Sequence, residues 1–144
     1  MSLLPVIRSD FQVYLQKLDD NGHPLGGPTL LPGSVKSIAT ASLPSGSSNL
    51  FVIGMDDLVY FITLDPTGTP ITSYTPIPNT VQANEIWAPP VAANGGGLFA
   101  IGTDSQVLFH KFDTSGNPVG GYITIPDQGP PFRQTTLVHL RSSW

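Results

Sequence analysis

The sequence contains nearly the same stretch three times. "VYLQKLDDNGHPLGGPTLLP" begins at Val13, "VYFITLDPTGTPITSYTPIP" at Val59 and "VLFHKFDTSGNPVGGYITIP" at Val107, at offsets of 46 and 48 residues. Self-similarity at this period points to stacked structural units, because one such unit cannot bury its apolar face alone. Each copy carries Asp, then Gly three residues on, then Pro two after that: Asp19, Gly22, Pro24; Asp65, Gly68, Pro70; Asp113, Gly116, Pro118. That spacing is hairpin chemistry. Asp accepts from backbone N–H groups just ahead of it, Gly takes the positive φ of the corner, and Pro starts the next strand where no ladder donor is needed. Calcium is a poor alternative, since it wants about 6 to 8 oxygen ligands and the second and third turns hold a single acid.

The repeat reaches upstream of the turn. "LFVIGMDD" (50–57) matches "LFAIGTDS" (98–105), and "LLPVIRSD" (3–10) fits the same frame with Arg8 in place of Gly54 and Gly102. Further upstream, "SIATASLPSGSS" and "IWAPPVAANGGG" supply a strand of small residues in the second and third copies. The first copy has none before it, whereas "FRQTTLVHL" (132–140) is a strand-like run with no unit after it. The first unit therefore reads as split between the two ends of the sequence.

Four strands repeated at about 40 to 50 residues are the signature of a β-propeller blade. The expected fold is all-β, with three blades at 1–33, 34–79 and 80–127. Ala39, Ala41, Ala88, Ala92 and Ala93 fit innermost strands crowded about an axis. Val59, Tyr60, Phe61 and Ile62 run apolar without alternation, as in a sheet covered on both faces. Propellers usually have about 4 to 8 blades, so three need completion. Two copies about a twofold give six blades, with 132–140 of one chain completing the blade begun by "LLPVI" of the other. The alternative is a piece of a longer propeller.

Composition narrows the class. In 144 residues there are 15 Gly, 15 Pro and 11% charged residues, and no window holds a helical period. A formal charge of −4, with Lys and Arg scattered, leaves no basic stripe, so nucleic acid is not an expected partner. No stretch has the length of a membrane helix, and "MSLLPVIRSD" lacks the basic start and apolar run of a signal peptide. Neither membrane insertion nor export by that route is expected, and the compartment stays open. With no cysteine, disulfides and thiolate metal sites are out of reach.

No nucleophile–base pair, carboxylate pair or metal cluster stands out. His23, His110 and His139 occupy different repeat positions, and Glu85 is the single glutamate. No catalytic residue, cofactor or metal is assigned, and the chain is read as a non-enzyme. A neutral glycan needs an aromatic face and a few directional polar groups without strong charge. Trp87 beside Glu85, Tyr74 and Tyr122 on outer strands, and Thr103, Asp104 and His110 supply those groups. Each has a packing alternative: burial between blades for Trp87 and His110, and a turn bond to a backbone N–H for Asp104.

The stretch "LFAIGTDSQVLFHKFD" also resembles the repeat of bacterial propeller lectins of the Photorhabdus lectin type. The resemblance is carried by Phe99, Gly102, Thr103, Asp104, His110, Lys111 and Tyr122. The second copy keeps Phe51, Gly54, Asp56 and Tyr74 but has Met55, Ile62 and Thr63 at the remaining positions; the first keeps Asp10, with Ser9, Gln16 and Lys17. What this implies is a multivalent lectin for fucosylated or methylated sugars, although that family carries seven blades in one chain. The competing expectation is a propeller scaffold that binds protein.

Overall fold

A computed structural model of the chain describes residues 2–78, 82–88 and 96–125. All secondary structure among them is strand. The order is β1 (Ser2–Ile7), β2 (Gln12–Leu18), β3 (Thr29–Ser42), β4 (Ser48–Gly54), β5 (Val59–Leu64), β6 (Thr75–Pro76), β7 (Ala83–Trp87), β8 (Gly96–Gly102), β9 (Val107–Phe112) and β10 (Pro118–Ile125). Every pairing is between strands consecutive in sequence and antiparallel, in one sheet ordered β1 to β6 and another ordered β7 to β10.

The 14-residue β3 serves two units. Its first part pairs with β2, its second with β4, and the register slips between them where Gln12 faces Ser34 but Val13 faces Leu31. Pro32 and Gly33, the latter at φ 89°, form this kink, because one removes a ladder donor and the other takes a left-handed corner. The large sheet thus folds back on itself. Unit 1 is β1, β2 and the start of β3; unit 2 is the rest of β3 with β4, β5 and β6; unit 3 is β7 to β10.

Unit 2 is packed on both sides. Leu50, Val52, Ile62 and Leu64 meet Val13, Leu15 and Leu31 of unit 1, whereas Phe51, Ile53, Val59 and Phe61 meet Ile86, Leu98, Ala100, Leu108 and Phe112 of unit 3. Alternate residues of β4 and β5 therefore serve different cores, which is why these strands read as unbroken apolar runs. Each such side chain, fully buried, contributes about 1.5 to 3 kcal/mol. Edge contacts of Phe112 with Phe51 (5.0 Å) and Phe61 (5.5 Å) lock the second seam. Ala39, Ala41 and Ala88 lie in or against that core; Ala92, Ala93 and 132–140 lie outside the described residues.

Two turns recur in every unit. In the Asp-x-x-Gly turn, Asp19 Oδ1 accepts from the N–H groups of Asn21 and His23, Asp65 from Thr67 and Thr69, and Asp113 from Ser115 and Asn117. Gly22, Gly68 and Gly116 hold φ between 83° and 86°. In the turn after the "IG" strand, Asp10, Asp56 and Asp104 accept from Gln12, Leu58 and Gln106. The strand expected straight after the first turn forms at Pro118 only; Pro24 and Pro70 make isolated bridges. In unit 2 the Thr72 hydroxyl accepts the Thr63 N–H at 3.1 Å, so a side chain takes the place of the ladder partner.

Candidate functional site

The kink in β3 and the back of unit 2 line a shallow, open cleft of about 190 Å³ at the seam between units 1 and 2. Val35 and Val52 form an apolar floor, Pro32 and Gly33 one wall, and the rings of Tyr60 and Tyr74 the other. Tyr60 is fixed from the adjoining turn, where its hydroxyl donates to Asp56 Oδ2 at 2.6 Å. That bond holds the Asp56 carboxyl below its ordinary range, helped by the Leu58 N–H, and raises Tyr60 in turn. Burial alone pushes the Tyr74 phenol up. Lys36 pairs with Asp57 on the same turn. The result is a small aromatic cleft with a fixed carboxylate beside it and a paired cation nearby.

The anticipated site residues fall into three places. Tyr74 and Tyr122 occupy corresponding positions 48 residues apart, each packed against the core that its unit shares with the preceding one. His110 lies at that second seam, fully buried, with Nδ1 3.0 Å from the Lys111 carbonyl oxygen and its ring edge-on to Tyr122 at 4.8 Å. Its Nε2 is buried without a hydrogen-bond partner among the described residues.

Trp87 and Glu85 point the other way. Trp87 pairs with Phe99, Phe99 with Phe109, and Phe109 with Ile123, making one cross-strand row on the face of unit 3 turned away from unit 2. Glu85 pairs with Ile101 on that face. Thus the sheet separates Trp87 and Glu85 from Tyr122 and His110. Thr103 and Asp104 are exposed on the turn, where the Thr103 N–H donates to the Gln82 carbonyl and Asp104 accepts from Gln106. Among the described residues, no three His, Cys, Asp or Glu side chains converge as metal ligands would.

No protein-family model matches the sequence, and no curated protein is similar to it. The site therefore has to be argued from its own chemistry. Tyr60 and Asp56 were not singled out as a pair from sequence. The available signal was Asp followed four residues on by Tyr, present as Asp10/Tyr14 and Asp56/Tyr60 but lost as Asp104/Leu108.

Proposed function

We propose that this chain is a non-catalytic carbohydrate-binding protein whose three units are blades of a β-propeller, closed into a six-bladed ring by a second copy. The observation that carries the binding role is the Tyr60–Tyr74 cleft. Aromatic walls suit the C–H face of a neutral sugar, and the Asp56 carboxylate beside Tyr60 can accept from its hydroxyls. One such cleft binds weakly, with a millimolar constant of about −4 kcal/mol. Several on one rigid ring gain on the order of a hundredfold to ten-thousandfold on a glycan-coated surface. Fucosylated and methylated sugars suit the apolar floor of Val35 and Val52.

Ring closure is supported by what the outer units leave open. On unit 1, Leu4 (48% exposed), Val6 and Leu30 (50%) face away from unit 2 together with Tyr14. On unit 3, the row of Trp87, Phe99, Phe109 and Ile123 (59%) does likewise. These faces correspond by the repeat to the two faces that meet at each internal seam. Apolar patches of this kind mark interaction surfaces. The recurring turn agrees: Gly68 lies against Leu3 of unit 1 and Gly116 against Asn49 of unit 2, whereas among the described residues a Cβ added at Gly22 would meet nothing within 4 Å.

A glycan array followed by calorimetry tests the binding role, with Tyr74→Ala expected to weaken any hit at least about tenfold, or about 1.4 kcal/mol. An array without hits overturns it. Light scattering tests closure: the ring has twice the 15.3 kDa chain mass.

A further inference from the structure

We propose that the open edge of β1 is a strand-accepting slot, filled by residues 131–140 of a second copy of this chain. The proposal rests on the ring reading above and adds how the ring is fastened. In units 2 and 3 the strand corresponding to β1 is paired on both edges, β4 by β3 and β5, and β8 by β7 and β9. Among the described residues β1 pairs with β2 alone. Nothing among the described residues pairs with its other edge, and the N–H and C=O groups of such an edge template a further strand.

The seam between units 1 and 2 holds a groove of about 290 Å³, with Ser2, Leu3 and Pro5 of β1 and Leu15 of β2 on one side and Thr40 and Ser42 of β3 on the other. In unit 2 the place next to β4 is held by β3 itself, and in unit 3 the place next to β8 is held by β7. Among the described residues, unit 1 has no strand at the corresponding place. Pro5 lacks an N–H, so the added ladder relies on the other groups of β1.

The occupant follows from connection length and direction. Six residues, 77–82, separate β6 from β7 and carry the chain from the outer edge of unit 2 to the inner strand of unit 3. Moving Ala83–Trp87 forward by the 48-residue offset gives 131–135 (83 + 48 and 87 + 48), the start of "PFRQTTLVHL". Thr, Val and Leu in this run suit a pleated, half-buried strand. By the same step, it belongs to the unit that follows unit 3 on its Phe99–Phe109 face. Unit 1 of the same chain lies beyond unit 2 on the opposite side. The β1 that meets this run is therefore that of a second copy.

The absence of native cysteine makes a cross-linking test unambiguous. Leu4→Cys is combined in the full chain with each of Gln134→Cys, Thr135→Cys, Thr136→Cys, Leu137→Cys and Val138→Cys, then oxidised. At least one pair is expected to give a reducible covalent dimer as the main product. A disulfide within one chain, or none in any pair, overturns the proposal. Amide exchange on the unaltered protein provides a check independent of the variants: β1 should be protected at least about tenfold more as a dimer than after dilution to monomer. Equal exchange in both overturns the slot. If the mass stays dimeric while both tests fail, only the slot is lost; a monomeric mass removes the ring as well.

Discussion

The carboxamide of Asn49 spans the seam between units 2 and 3: its Nδ2 donates to the Gly116 carbonyl and its Oδ1 accepts from the Thr63 hydroxyl, each at 2.9 Å. Asn49 is 1% exposed, so no water replaces either bond. Asn49→Ala is expected to destabilise the fold by about 1 to 3 kcal/mol, the cost of stranding a buried carbonyl and hydroxyl. Gly116→Ala should also destabilise, since Gly116 sits at φ 85° and an added Cβ lies 2.8 Å from Asn49 Oδ1. Urea unfolding measures both.

Charges placed on the end faces separate folding from assembly. Ile123 and Leu30 are half or more exposed in the single chain, so Ile123→Lys and Leu30→Lys should change chain stability by no more than about 0.5 kcal/mol. In the ring each would bury an ammonium in an apolar seam. Both variants are expected to run as monomers in light scattering at concentrations where the parent is a dimer.

Removing the Tyr74 hydroxyl should stabilise the protein. That oxygen is buried without a hydrogen-bond partner among the described residues, an arrangement that costs about 1 to 3 kcal/mol. Tyr74→Phe is expected to raise the melting temperature while keeping the aromatic wall. Tyr74→Ala should lower it by opening a cavity, and calorimetric scans distinguish the two.

Acid should loosen the turns. Asp56 is held low chiefly by the Tyr60 hydroxyl, Asp65 by the Thr67 hydroxyl and Asp19 by the His23 N–H, all from an ordinary 3.8. A carboxyl lowered on folding stabilises fully above its unfolded value and loses that contribution as pH falls through the folded one. Tyr60, raised by Asp56, acts in reverse: its contribution is full below the ordinary 10.0 and lost as pH rises past the raised value. The melting temperature should therefore be level from about pH 5 to 9 and fall below about pH 4. Asp56→Asn should blunt the acid limb, because position 56 then no longer titrates.

The repeat, both turns and every strand expected among the described residues, except the one straight after the Asp-x-x-Gly turn of units 1 and 2, were legible in the sequence because their chemistry is local. Asp19, Asp65 and Asp113 bond to N–H groups no more than four residues ahead, and Gly22, Gly68 and Gly116 take nearly one φ. Such bonds depend on spacing alone. The unbroken apolar run at Val59 likewise announced a strand covered on both faces.

Which way each aromatic faces was decided only by the tertiary structure. Register slips between Val35 and Ser37, Ala83 and Glu85, and Val119 and Ile123 each reset the alternation of a strand. Position counting therefore cannot tell that Tyr122 joins His110 at one seam while Trp87 joins Phe99 on the opposite face. The cleft at Tyr60 and Tyr74 also needed the fold, since the residues across from them, Pro32 and Gly33, come from the kink that brings unit 1 against unit 2. The sequence by itself determined the units and their turns, through contacts a few residues long. The seams between them, where Tyr60, Tyr74, His110 and Tyr122 lie, come from packing sheets whose facing residues are tens of positions apart.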